Sequence, residues 1–269
     1  MSALLGLLWG LTALAGGPEN WSSTYDARLS QAMGAKPSDA IAIYEALIGQ
    51  IPQGDEQRGE ILYWLGRARW SAGDLEGARR SLESASRYRS ARARVRILLG
   101  RMDAEKKAVE RLPYRSKFRL STDPWVRGWE RGRSTDLALS DQDESRSLSW
   151  RTEVEEGESD FLIFGLHLDG ERLSAIEVQV KSGTLQGRYR ILLEDEDGQL
   201  WTTPVKSVPT DRWTKLNLPL ADFVRADALT DRSRPDGKRL KWVILRDVTA
   251  LHTDQRGENT LFMDNLLIR

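Results

Sequence analysis

The sequence of 269 residues predicts a chain in two parts, α-helices first and an antiparallel β-sandwich second. Three observations predict it. Apolar and small residues recur at three- and four-residue spacing through residues 22–112, the period of an amphipathic helix. From about residue 117 onward the pattern becomes short alternating stretches rich in Val, Ile, Leu, Trp and Thr. Turn signals separate those stretches: Asp169-Gly170, Asp197-Gly198 and Asp236-Gly237. Helices placed ahead of strands, rather than between them, exclude an alternating β-α-β enzyme core and read as separate domains. The boundary is expected near Leu112–Ser116.

The first segment, MSALLGLLWGLTALAGGPEN, reads as a secretory signal peptide over residues 1–15. Its apolar run, Ala3–Ala15, is too short to span a bilayer comfortably, and Ala13-Leu14-Ala15 supplies a small–x–small cleavage pattern. No Lys or Arg precedes the run, so an N-terminal helix that packs on the body stands as the alternative. Export to the periplasm or outside the cell is the expectation. Asn20-Trp21-Ser22 is a formal glycosylation acceptor.

Composition removes several classes of chemistry. Lys+Arg and Asp+Glu balance at 40 each, which argues against a bulk polyanion such as nucleic acid as partner. The arginine-rich run RYRSARARVR, residues 87–96, reads as a solvated helix face, because aromatic residues other than Tyr88 are absent from it. Cysteine is absent, which excludes disulfides, thiolate chemistry and Cys-held metals. The ten tryptophans are the compositional feature that asks for a role.

Within the helical half, Pro stands only at the joints, 37, 52 and 113. YWLGRARWSAGDLEGARRSLESA, residues 63–85, places Leu65-Gly66, Gly73, Ala78, Leu82 and Ala85 so that two helices approach closely about a Gly73-Asp74 turn. Leu99-Gly100 follows Leu65-Gly66 after 34 residues, and Ala40, Tyr44, Leu47 and Pro52 fit the second helix of an earlier unit. These offsets resemble the tetratricopeptide repeat. The resemblance implies a groove on the first helices formed by Glu60, Tyr63, Arg67, Trp70, Arg94 and Arg101, suited to an acidic or C-terminal peptide of a protein partner. The alternative is that so few units dock on the strand domain.

The strand half runs through RSLSWRTEV (146–154), DFLIFGLHL (160–168), RLSAIEVQVKS (172–182), RYRILLEDEDGQLWTTP (188–204), DRWTKLNLPLADF (211–223), LKWVILRDV (240–248) and NTLFMDNLLIR (259–269). Leu173–Val180, the Asp197-Gly198 hairpin, Trp213 with Leu216–Phe223 and the terminal Asp264-Asn265 carry a resemblance to galactose-binding-like β-jelly rolls. The chain is similar there to carbohydrate-binding module family 11 and to the complex I intermediate-associated protein domain. The resemblance covers residues 117–269 and implies a jelly roll with a ligand on one sheet face.

Alternation names that face. Ile176, Val178 and Val180 share the core side of one strand, leaving Glu177, Gln179 and Lys181 outward. A two-residue turn at Asp197-Gly198 pairs Glu194 with Trp201 and sets Arg190, Glu194 and Trp201 outward. Trp242, Ile244 and Arg246 alternate with Val243 and Leu245. The expected ligand site is therefore Gln179, Arg190, Glu194, Trp201, Trp242 and Arg246. An aromatic ring stacks on a sugar's C–H face, and amide, carboxylate and guanidinium groups bond pairs of hydroxyls. The alternative is an outer face covered by loops or helices.

Asp264 in the last strand reads as a structural acid that accepts backbone N–H groups, with a calcium ligand as the alternative the resemblance implies. No cofactor is expected. His167 reads as a hydrogen-bonded structural histidine, and His252 falls in a polar loop. The motifs G-x-S-x-G, G-x-x-x-x-G-K-[ST], H-E-x-x-H and G-x-G-x-x-G do not occur. The expected function is non-catalytic binding by an exported protein: carbohydrate on the sheet face, protein on the helices. A protein scaffold or assembly factor without a glycan ligand is the alternative.

Overall fold

The computed structural model describes residues 22–129, 136–142, 145–155, 159–227 and 233–269. The expected signal peptide over 1–15, with Asn20 and Trp21 of the glycosylation acceptor, lies outside them. Among the described residues, five helices precede two antiparallel sheets packed as a sandwich of jelly-roll type. The chain divides into two compact units, and the division falls between Val95 and Arg96. The sequence reading places the boundary at Leu112–Ser116; the contacts instead divide the chain inside a helix.

In the first unit, α1 spans Ser22–Gly34, α2 Pro37–Gln50, α3 Glu56–Ser71 and α4 Leu75–Ala85, and α5 (Arg89–Glu105) begins there. Pro37 opens α2, where a missing N–H costs nothing. Asp55 and Asp74 cap α3 and α4 by accepting from the N–H groups of Gln57 and Gly77, both at 2.9 Å. Gly73 makes the α3–α4 turn at φ +84, a backbone state that glycine adopts without a Cβ clash. A Cβ at Gly66 would sit 2.6 Å from Leu82 Cγ, so glycine is what brings α3 and α4 together. Tyr44, Leu47, Ile61 and Leu65 fill the core of this unit.

The offset of 34 residues reappears as direct contacts. Ser90 N–H donates to Glu56 Oε2 at 2.9 Å, its hydroxyl donates to Glu56 O at 2.9 Å, and Arg94 pairs with Glu60. Positions 34 residues apart on α3 and α5 therefore touch.

The second unit holds the last part of α5 and the sandwich. Its strands are β1 (Tyr114–Ser116), β2 (Val126–Trp129), β3 (Asp136–Gln142), β4 (Ser145–Val154), β5 (Phe161–Gly165), β6 (Ala175–Ser182) and β7 (Gly187–Asp195). They continue as β8 (Leu200–Thr202), β9 (Lys206–Val208), β10 (Thr214–Pro219), β11 (Val224–Arg225), β12 (Leu240–Asp247) and β13 (Gly257–Ile268). One sheet is six-stranded, in the order β10-β6-β13-β4-β3, with β1 on β13. The other is seven-stranded, in the order β11-β8-β7-β12-β5-β2, with β9 on β7. Inward residues from both, among them Trp150, Val178, Leu193, Trp201, Val243 and Met263, fill one core together with Trp125, which precedes β2.

Three contacts fasten the last part of α5 and the segment after it to the outer face of the seven-stranded sheet. A Cβ at Gly100 would meet Arg127 O at 2.8 Å and Gly128 O at 2.9 Å. A Cβ at Gly165 would meet Ala108 Cβ at 3.1 Å and Ala104 O at 3.2 Å. Val109 N–H donates to Gly165 O and His167 N–H to Val109 O, both at 2.9 Å.

Candidate functional site

The β6 alternation is as the sequence predicts: Ile176, Val178 and Val180 are buried, and Glu177, Gln179 and Lys181 face outward. β6 belongs to the six-stranded sheet, however, whereas β7, β8 and β12 belong to the seven-stranded one. The outer faces of two packed sheets point in opposite directions. Gln179 therefore does not meet Arg190, Glu194, Trp201, Trp242 or Arg246.

Trp201 is a second correction. The β7–β8 connection is three residues, Glu196–Gly198, closed by Asp195 N–H to Gln199 O at 3.1 Å, with Gly198 at φ +78. Leu200 thus opposes Glu194, and Trp201 opposes Leu193. One added turn residue moves the indole from the outer face to the core, where it is buried in the interior cluster.

Arg190, Glu194, Trp242 and Arg246 do share the outer face of the seven-stranded sheet. Trp242 opposes Glu194, and Arg246 opposes Arg190. Yet Glu194 and Trp242 are buried there. Arg101 of α5 reaches them: Nη1 donates to Glu194 Oε1 at 3.0 Å, Nη2 donates to Oε2 at 2.5 Å, and the guanidinium carbon lies 5.8 Å from the Trp242 ring centroid. Arg246 stays exposed and donates from Nε to Ser159 Oγ at 2.9 Å. This part of the face is closed by the chain's own helix, the covered alternative of the sequence reading. Beside it, a cleft of about 600 Å³ is bordered by Arg96, Asp103, Lys107, Trp125 and Arg127, and Lys107 pairs there with Asp123 at 2.7 Å.

The residues expected in the helical groove divide the same way. Glu60, Tyr63 and Arg94 come together, the Arg94 guanidinium lying 4.9 Å from the Tyr63 ring centroid while it pairs with Glu60. Arg67 is exposed and stands 5.3 Å over Trp64, and Trp70 is half-buried on the same helix. Arg101 does not join them; it belongs to the second unit, on Glu194. Arg87, Arg89 and Arg92 of the arginine-rich run are exposed.

The outer face of the six-stranded sheet remains accessible. Register places Phe262 between Lys181 of β6 and Ser149 of β4, and all three are half-buried. In the next row Gln179 Oε1 accepts from Asn265 Nδ2 at 2.7 Å, beside Lys215 and Asn217 of β10. Glu177 holds this part of the face together. Hydrogen bonds from Lys215 and Arg269, at 2.5 and 3.0 Å, keep its carboxyl below the ordinary carboxylate value. Phe262 and Asn265 escape the sequence reading. Phe262 was legible as an outward aromatic in NTLFMDNLLIR, two residues before Asp264.

Asn265 and Leu266 form a β-bulge in β13, between Asp264 opposite Gln179 and Leu267 opposite Glu177, where β6 has only Val178. Asn265 takes φ +50, which asparagine tolerates better than most residues. Asp264 is buried, accepts from Asn265 N–H at 2.8 Å and pairs with Arg119 at 3.5 Å. Among the described residues no group of three His, Cys, Asp or Glu side chains is placed to hold a metal ion. His167 lies beyond β5, exposed, with Nε2 3.9 Å from Glu105 Oε1. No helix among the described residues is long and apolar enough to cross a membrane.

No protein-family model matches the chain, and no curated protein matches it. Solved structures do overlap with it. The family 11 carbohydrate-binding module of the cellulosomal cellulase Lic26A-Cel5E of Clostridium thermocellum is 13% identical, over 54% of this chain and 86% of that one, at a TM-score of 0.38. A family 11 module from Clostridium thermocellum in complex with a β-1,3-1,4-mixed-linked tetrasaccharide is 13% identical over 57% and 93%, at 0.41. The CBM22-1 xylan-binding domain of Paenibacillus barcinonensis Xyn10C is 15% identical over 60% and 96%, at 0.40. Overlap at that level leaves the fold to be judged from strand order and register, and the function from the site itself.

Proposed function

We propose that the chain is a non-catalytic binding protein whose sandwich takes a carbohydrate on the outer face of the six-stranded sheet. The observation that carries this reading is the group on that face: Phe262 half-buried between Lys181 and Ser149, with the Gln179–Asn265 amide pair in the next row. A phenyl ring packs on the C–H side of a pyranose. Two amides already oriented by each other present donors and acceptors to adjacent hydroxyls without further ordering. The other sheet is disfavoured because Arg101 closes its outer face over Glu194 and Trp242.

In this reading residues 1–15 direct export to where polysaccharide is met, and the helices of residues 22–112 take a protein through Glu60, Tyr63, Arg67, Trp70 and Arg94. Arg67, exposed beside Trp64, offers a fork for a carboxylate there. A second reading is a protein scaffold without a glycan ligand. It is favoured by α5 itself, whose Arg101 lies on a sheet face of this sandwich.

Affinity electrophoresis of the full chain through gels containing soluble polysaccharides tests the first reading, with Phe262→Ala and Gln179→Ala alongside. Retardation by one polysaccharide, lost in both variants while circular dichroism is unchanged, supports a glycan face. No retardation by any of them, together with stoichiometric capture of one protein by the helices, favours the scaffold. Sequencing of the exported chain should find Gly16 as its first residue.

A further inference from the structure

We infer that the sugar face continues into an anion-binding recess, so that its ligand is an acidic polysaccharide carrying carboxylate or sulfate groups. The inference rests on the proposed glycan face. It starts from register: Asn217, Glu177, Leu267 and Arg115 oppose one another in sequence across β10, β6, β13 and β1. Directly opposed residues share a face, so Arg115 stands on the same outer surface as Gln179 and Phe262. Beyond this row lies a recess of about 470 Å³ with Leu112 and Leu267 as apolar lining and Arg115, Arg172 and Arg269 around it.

The charges there are not equivalent. Arg269 donates to Glu177 at 3.0 Å, and Lys215 is held by the same carboxylate at 2.5 Å. Glu171, the one acid lining the recess, accepts the Leu112 backbone N–H. Arg119, Arg146 and Arg151, on the same half of the sandwich, pair with Asp264, Asp141 and Glu258. Arg115 and Arg172 are exposed, and among the described residues neither has an acceptor. Two guanidinium forks without acceptors beside an apolar floor fit a planar carboxylate or a sulfate on a sugar ring, which they engage in pairs of hydrogen bonds. A neutral sugar gives those forks only hydroxyl acceptors.

Titration calorimetry of the full chain tests this, with a galacturonate hexasaccharide, a sulfated hexasaccharide and a neutral glucose hexasaccharide as probes. Arg115→Ala/Arg172→Ala and Phe262→Ala are run beside the unaltered chain, with thermal melts as the check on folding. The expected result is an acidic hexasaccharide bound about tenfold or more tightly than the neutral one, with a preference that weakens as salt is added. The arginine pair should abolish the preference, and Phe262→Ala should weaken every sugar. The better of the two acidic probes identifies carboxylate or sulfate as the group recognised. Equal binding of acidic and neutral sugars, or a preference that survives the arginine pair, overturns the inference and leaves the glycan face standing. Binding of an oligonucleotide as tight as that of the acidic sugar also overturns it, because charge alone then suffices. If no hexasaccharide binds, the glycan face itself falls and the inference with it.

Discussion

Arg101 on α5 and Glu194 on β7 form a two-pronged ion pair at 3.0 and 2.5 Å, directly beside the Trp242 ring. A residue expected in a helical groove thereby meets two residues expected on a sugar face. The pair is partly shielded, with side-chain exposures of 29% for Arg101 and 11% for Glu194. Replacing Glu194 by Ala leaves a half-buried guanidinium without its acceptor, and about 2 kcal/mol of stability should be lost. The double variant Arg101→Ala/Glu194→Ala should lose less than the sum of the single ones. Urea denaturation of the three variants measures this, and strict additivity would show that the two side chains do not act together.

Trp201→Ala should destabilise the sandwich by about 3–5 kcal/mol, the range for removing a core aromatic. Its melting temperature should fall accordingly, and any loss of ligand binding in this variant should track loss of fold. A variant that melts like the parent would return the indole to the surface.

Gly100→Ala brings a methyl group to within 3 Å of the Arg127 and Gly128 carbonyl oxygens. Backbone cannot swing aside as a side-chain tip can, so about 1–3 kcal/mol of destabilisation is expected despite alanine's higher helix propensity. Gly49→Ala, in α2 with open space around it, should gain a few tenths to about 1 kcal/mol by the same propensity. Paired thermal melts compare the two; equal effects would mean that α5 does not lie against β2.

Asp247 is buried and joins the two sheets by accepting from Thr152 Oγ1 at 2.8 Å and Thr249 N–H at 2.9 Å. Burial raises its carboxyl above the ordinary value, with the Thr249 and Thr152 hydrogen bonds opposing the rise. The folded chain therefore holds this proton more tightly than the unfolded chain. The corresponding stabilisation is full below the unfolded value of about 3.9 and is lost as pH rises through the folded one. Asp247→Asn keeps an oxygen for Thr249 and cannot ionise. Its stability relative to the parent should rise as pH increases above the unfolded value of about 3.9, as followed by denaturant titration at several pH values. A difference that stays constant with pH would remove Asp247 from the titration.

Asn265→Ala should cost about 1–2 kcal/mol, the price of a left-handed residue without a compatible side chain, and releases Gln179. Asn265→Gly restores the backbone but not the amide, so it should recover stability and not sugar binding. A glycine variant that binds as the parent does would exclude the amide from the site.

The sequence by itself determined what depends on near neighbours. The change of period near residue 117, the Gly73-Asp74 turn, the capping aspartates and the inward Ile176, Val178 and Val180 are all written within a few residues, because helix and strand repeats are local. Tertiary structure decided what depends on partners far along the chain. Whether Gln179 joins Trp242 depends on which sheet each strand enters, and β6 is flanked by β10 and β13, not by β7. Whether Trp201 faces solvent depends on one residue of turn length, since a strand reverses its faces with every residue. Whether Glu194 and Trp242 are free depends on a helix 93 residues away in sequence from Glu194. Periodicity says which side of a strand is apolar, but burial of the other side is set by whatever packs there, and no local pattern records it.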